Sequence, residues 1–152
     1  MTLARFASRI VLFAACAVLL SGAAGCNTTS TGPSSTAPYS QVDLRLGDGV
    51  EAVAGKTLTV HYTGWLYDPT KADSKGLQFD TSAGSTGFPF TLGIQQVIAG
   101  WDRGLVGMKV GGIRKLVIPP SLAYGNVRNN AIPPSATLVF EIELLEVKDA
   151  GT

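Results

Sequence analysis

Val97-Ile98-Ala99-Gly100-Trp101-Asp102-Arg103-Gly104-Leu105 is the stretch on which the architecture turns. Val97, Ile98, Trp101 and Leu105 recur at helical spacing and form one narrow apolar stripe, while Asp102 and Arg103 are directed toward water. Gly100 and Gly104 each weaken an isolated helix by roughly 1 kcal/mol. So short a helix persists only when something packs against it, and glycines along it imply a second layer at close approach. The stretch therefore predicts a short helix clasped by a sheet, with Trp101 between the two. Taken alone, Trp101 is equally a core residue or the floor of a site.

The sequence on either side supplies the sheet. Downstream, Gly111-Gly112 turns the chain and Arg114 to Ile118 reads as a strand stopped by Pro119-Pro120. Leu122 to Gly125 is a short turn, Asn126 to Asn130 a polar loop, and Ile132-Pro133-Pro134 is held extended by its prolines. In the last strand, Thr137 to Val147, Leu138, Phe140, Ile142 and Leu144 share one face and Glu141 and Glu143 the other. Upstream, Phe88 to Leu92 reads as an edge strand because Pro89 cannot donate to a ladder. Leu77 to Asp80 is a short strand. Thr57 to Tyr67 is the strongest strand signal, with Leu58, Val60 and Tyr62 on one face and Thr59, His61 and Thr63 on the other. His61 has no carboxylate or cysteine near it in sequence and reads as a packed strand residue. Val42, Leu44 and Leu46 alternate with Asp43 and Arg45 as a half-buried strand. About five strands and one short helix in residues 41–148 make an α+β pattern of a size that buries its own core.

Ahead of this lies a different kind of sequence. Arg5 and Arg9 precede an apolar run, Ile10 to Leu20, of signal-peptide length, and small residues lead to Cys26. The segment resembles a bacterial lipoprotein signal, with Ala23 where that signal usually has Leu. Residues 1–25 are expected to be removed, leaving Cys26 as a lipidated first residue whose acyl chains hold the protein at a membrane. The alternative is cleavage nearby that frees a soluble periplasmic or secreted protein. Asn27 is not the Asp that usually marks inner-membrane retention. Residues 26–40, rich in Ser, Thr and Pro, read as a flexible tether, and 149–152 as a tail. Loss of Cys16 with the signal leaves no free thiol, which suits an oxidising compartment.

Charge and composition exclude several functions. With 12 basic and 11 acidic residues there is no field to steer nucleic acid. One histidine and two cysteines are too few for a zinc cluster or a disulfide framework. No Ser–His–Asp order and no phosphate-binding glycine loop occurs, so neither cofactor nor metal is expected.

Val60-His61-Tyr62-Thr63-Gly64, Phe79-Asp80, Val97-Ile98-x-Gly100-Trp101, Ala123-Tyr124-Gly125 and Ile132-Pro133-Pro134-x-Ala136-Thr137-Leu138-Val139-Phe140 together resemble the FKBP-type peptidyl-prolyl isomerases. The resemblance spans nearly all of 41–148. It implies a twisted antiparallel sheet wrapped around one short α-helix. It also implies a pocket in which Tyr62, Phe79, Asp80, Trp101, Tyr124 and Phe140 are catalytic and Phe88, Val97, Ile98 and Ile132 bind substrate. Trp101 would be the floor, and the Ile98 amide and Tyr124 hydroxyl would hydrogen-bond the ligand. Implied partners are proline-containing peptides and folding proteins, together with macrolide immunosuppressants, met by a monomer. Three departures stand out: a longer loop Asp68 to Gly76, no Arg between Asp80 and Phe88, and Arg128 and Asn130 in the loop Asn126 to Ala131. The last bears on the pocket rim and hence on substrate preference.

These residue types suit the chemistry. An X–Pro bond isomerises slowly because the amide is conjugated, with a barrier of ~18–20 kcal/mol. The twisted amide carries less charge separation than the planar one, and a dry aromatic pocket favours it without any covalent step. The rival expectation is a proline-peptide-binding chaperone without turnover; a structural surface lipoprotein would show neither rate nor binding.

Overall fold

The computed structural model describes residues 36–151. The expected signal segment, Cys26, most of the expected tether and Thr152 lie outside the described residues. Among the described residues, six strands run in the order β1 (Ser40–Arg45), β2 (Lys56–Tyr67), β3 (Lys75–Thr81), β4 (Phe88–Thr91), β5 (Ile113–Ile118) and β6 (Leu138–Asp149). An α-helix, α1 (Ala99–Gly104), falls between β4 and β5. All pairings are antiparallel, and the sheet order is β1-β5-β6-β2-β3. β4, expected as an edge strand, shares an edge of β2 with β3, pairing Thr57 to Val60 while β3 pairs Thr63 to Tyr67.

The long strands carry the core as their alternation requires. Leu58 and Val60 on β2, Leu116 and Ile118 on β5, and Leu138, Ile142 and Leu144 on β6 are at most 1% exposed. Full burial of each such side chain contributes roughly 1.5–3 kcal/mol. The helix lies against this inner face, and its glycines explain how closely. A Cβ on Gly100 would sit 2.5 Å from Ile118 Cγ2, and one on Gly104 would sit 2.8 Å from Leu116 Cδ2 and 2.6 Å from Tyr39 Oη. Those contacts leave no room for a side chain, so the two glycines set the helix-to-sheet distance at the propensity cost noted above. Tyr39 belongs to the fold rather than to the tether: its ring packs on the core, beneath the Arg103 guanidinium at 4.8 Å.

Three expectations are corrected. The helix starts at Ala99, so Val97 and Ile98 precede it instead of continuing its stripe. Ile98 is extended (φ −59°, ψ 147°), which aims its carbonyl at the N–H groups of Trp101 (2.9 Å) and Asp102 (3.3 Å). Asp102 does more than face water: its carboxylate accepts the N–H of Gly93 (2.8 Å) and of Gln95 (2.9 Å) and so fixes the loop leading into the helix. β1 is exposed along its whole length, with Val42 and Leu44 about half exposed and Leu46, just past its end, 81% exposed. Its inner face is taken by Asp43, whose two carboxylate oxygens accept from Arg114 at 2.5 and 3.1 Å. Arg114, itself buried, also donates to Gly104 O (2.8 Å) and Val106 O (3.2 Å), satisfying the carbonyls that the helix leaves open at its end. An ion pair with the last strand but one therefore reverses the apolar alternation of the first.

Candidate functional site

β2 and β6 place Gly64 directly opposite Phe140, and β2 pairs Gly64 with Asp80 of β3. A Cβ on Gly64 would lie 2.7 Å from Phe79 Cζ and 2.8 Å from Phe140 Cε1. The missing side chain is what lets these two rings meet edge to face, with centroids 5.6 Å apart. Phe140 in turn stands edge-on to Trp101 at 5.2 Å, Trp101 to Tyr62 at 5.1 Å, and Tyr62 to Phe88 at 5.9 Å. Edge-to-face pairs of this kind each add about 0.5–1.5 kcal/mol beyond area burial. Trp101, 4% exposed, sits at the hub of the cluster, and its buried Nε1 has no hydrogen-bond partner.

The rings enclose a cavity of about 340 Å³. Nine of the ten expected site residues line it: Tyr62, Phe79, Asp80, Phe88, Val97, Ile98, Trp101, Tyr124 and Phe140. Ile132 does not. It is 6% exposed and lines a separate cavity of about 210 Å³ that shares Phe79, Asp80 and Tyr124 with the first. The cause is a tight turn in which Asn129 and Ile132 exchange both backbone hydrogen bonds (2.8 and 3.1 Å), with Asn130 at φ 48°, so Ile132 is held one step outside the aromatic ring. Gln95 and Gln96 also line the main cavity and no periodicity marked them. They owe their place to the loop pinned by Asp102, in which Gln95 takes φ 61° and Gln96 Oε1 accepts the Thr91 N–H at 2.7 Å. Gly93, two residues earlier, was the available hint of a sharp turn.

Tyr62, Asp80 and Tyr124 bring two hydroxyls and a carboxylate to the cavity. The Tyr62 hydroxyl donates to Asp80 Oδ2 (2.7 Å), and the Thr81 N–H donates to Oδ1 (2.8 Å). The Tyr62 peptide is clamped as well: its N–H donates to Ser82 Oγ (2.9 Å) and its carbonyl accepts the Ser82 N–H (2.9 Å). Burial, with the hydrogen bond and charge of Asp80 behind it, pushes the Tyr62 hydroxyl up to about 12. Burial likewise raises Tyr124, the Asp80 charge adding to the effect and a hydrogen bond from Asn129 opposing it. Both phenols therefore stay protonated, as donors, across the neutral range. The Ile98 N–H makes none of the backbone bonds found for its neighbours among the described residues, and Ile98 lies in the cavity wall. Among the described residues, no group of three His, Cys, Asp or Glu is placed to hold a metal ion.

His61 lies on the far face of β2, with Nδ1 3.1 Å from Ser82 Oγ. The long loop Asp68 to Gly76 is on that far face too. Lys115 Nζ donates to Asp73 O at 2.5 Å, and Lys75 pairs with Glu141 at 2.6 Å, both away from the cavity.

A family model described as FKBP-type peptidyl-prolyl cis-trans isomerase matches residues 49–145. The chain belongs to that family. An "FK506-binding protein" of Neisseria meningitidis serogroup B is 54% identical over 106 residues, covering 69% of this chain and 92% of that one. A "46 kDa FK506-binding nuclear protein" of Spodoptera frugiperda is 48% identical over 107 residues, 70% of this chain but 24% of its own. Among solved structures, FkpA from Escherichia coli matches with TM-score 0.59 and 40% identity over 74% of this chain; this chain spans 49% of FkpA. A peptidyl-prolyl cis-trans isomerase from Pseudomonas syringae pv. tomato matches with TM-score 0.61 and 35% identity, covering 73% and 76% of the two chains. The FKBP family match takes in the residues that line the main cavity and begins after β1, the strand whose burial pattern departs from expectation.

Proposed function

We propose that this protein accelerates cis–trans isomerisation of X–Pro bonds during protein folding outside the cytoplasm, using the aromatic cavity as its active site. The observation that carries this reading is the convergence of Tyr62, Phe79, Phe88, Trp101 and Phe140, from four strands and a helix, on one cavity that Asp80 and Tyr124 also line. A prolyl ring on the Trp101 floor leaves water, and the surrounding rings favour the twisted imide, which is less polar than the planar one. The Ile98 N–H and the protonated Tyr124 hydroxyl are donors for the substrate carbonyls flanking the proline, and the Tyr62–Asp80 hydrogen bond holds those two side chains in place. Stabilisation that grows as the bond twists raises the rate; contact equal in both states would give binding alone. No bond to the substrate is made or broken.

The location belongs to the same proposal. The apolar run Ile10 to Leu20 and the small residues before Cys26 support export, with a lipid on Cys26 tethering the domain at the outer side of a bacterial membrane. The names of its relatives extend the expected ligands to macrolides of the FK506 type. Comparing Phe79→Ala and Asp80→Ala for exchange rate and for proline-peptide affinity separates an enzyme from a chaperone. The enzyme loses at least tenfold in rate with affinity changed less; equal loss of both means that the cavity only binds. Mass spectrometry of the mature amino terminus checks the anchor, and a chain without acyl mass at Cys26 would overturn it.

A further inference from the structure

We infer that the smaller cavity beside Asp80 gives this protein a preference for substrates with a lysine or arginine flanking the proline. The inference rests on the isomerase reading above and names its substrate class. The two cavities share Phe79, Asp80 and Tyr124, so a peptide whose proline fills the larger one brings a neighbouring side chain to the mouth of the smaller. The smaller cavity, about 210 Å³, offers two kinds of surface. Phe79, Ala131 and Ile132 provide an apolar strip that suits a long aliphatic stem. The Asp80 carboxylate provides a charge for the head group.

That charge has no cation to neutralise it. Asp80 takes part in no ion pair among the described residues, and its two hydrogen bonds, from Tyr62 and Thr81, come from neutral donors. No Lys, Arg or His lines either cavity, and Arg128, although on the same loop as Asn129 and Asn130, is among the lining residues of neither. Asp80 is also the one acidic residue lining the pair of cavities, so the site as a whole carries a single uncompensated negative charge. The electrostatic influence of Asp80 reaches both cavity tyrosines. An ammonium or guanidinium group would meet attraction here, and a carboxylate repulsion. Because Asp80 is exposed, the effect is a few-fold.

The test uses the full chain and three matched peptides in which the residue flanking proline is lysine, norleucine or glutamate, placed first before and then after the proline. Norleucine keeps the aliphatic stem and drops the charge. At low ionic strength, kcat/KM for the lysine peptide is expected to exceed that for norleucine about threefold, and glutamate to fall below norleucine, in at least one placement. The lysine-to-norleucine ratio should approach one in 1 M salt, where the Debye length falls to about 3 Å. The same ratio should approach one in Asp80→Asn, whatever that change does to the absolute rate, and should invert in Ala131→Lys. Equal kcat/KM for lysine and norleucine in both placements, or a ratio unchanged in Asp80→Asn, overturns the inference. Peptide affinity, read from tryptophan fluorescence, keeps it separate from the isomerase reading. Tighter binding of the lysine peptide without any exchange supports the charge preference and overturns the enzyme.

Discussion

On the inner face of β2 and β6, Tyr62, Gly64, Phe140 and Ile142 close over Trp101; on the outer face of the same strands, His61, Thr63, Glu141 and Glu143 meet salt bridges and a polar loop. The two sets alternate residue by residue. The inner set is fixed by volume: rings 5.1–5.6 Å apart around a glycine that has no space for a methyl group. The outer set is fixed by charge: Arg45 to Glu143 and Lys75 to Glu141, each at 2.6 Å, with the Lys75 ammonium 4.6 Å over the Trp65 ring. A strand period of two thus separates a site that tolerates no change of shape from a surface that water can largely replace. Substitutions on the two faces should therefore differ in size and in kind.

The largest effect belongs to the hub of the inner face. Trp101→Ala is expected to cost ~3–5 kcal/mol in chemical denaturation, as a large-to-small core change, and to abolish exchange. A loss below about 1 kcal/mol would mean that the ring is not packed as described. Gly64→Ala comes next, because it adds volume where none is free. It should cost about 1–3 kcal/mol through overpacking and lower kcat/KM at least tenfold by pushing Phe79 and Phe140 apart. Retained activity would show that the two rings need not touch.

A pH titration sharpens the contrast without changing shape. An ordinary tyrosine ionises near 10.0, and Tyr62 is held up to about 12, so the folded state keeps a proton that the unfolded chain has lost. The stability this provides is complete below pH 10 and is lost as pH rises toward 12. Phenolate absorbance in the wild type minus that in Tyr62→Phe should report the late titration. Asp80→Asn should leave part of the shift in place, since burial is its largest single cause. Titration of Tyr62 at 10 would mean that water reaches the ring. The smallest effect belongs to the outer face. Glu143→Gln removes an exposed ion pair with Arg45 and should change stability by less than about 0.5 kcal/mol, with exchange unaltered.

Most of this division is legible in the sequence, because β2 and β6 are long and their alternation is strict. What is not legible depends on partners distant in the chain. The outward turn of Val42 and Leu44 follows from Arg114, 71 residues beyond Asp43, and no local pattern contains that pair. The place of Ile132 depends on a left-handed residue at Asn130, and that of Gln95 and Gln96 on a carboxylate reaching back from the helix. The apolar stripe placed Trp101 correctly on the helix but ran Val97 and Ile98 into it, since spacing alone cannot tell a helical turn from the extended residue that caps it. The family motifs located the rings of the cavity. The rim, where substrate choice is expected to lie, is set by backbone conformations that those motifs do not encode.

The most direct test of the account is magnetisation exchange between the cis and trans resonances of an X–Pro peptide at a catalytic level of the protein. The account predicts exchange well above the uncatalysed rate, suppressed in proportion as an FK506-type macrolide fills the cavity. Exchange at the uncatalysed rate, in a sample whose tryptophan fluorescence nevertheless reports a folded, peptide-bound cavity, would contradict it.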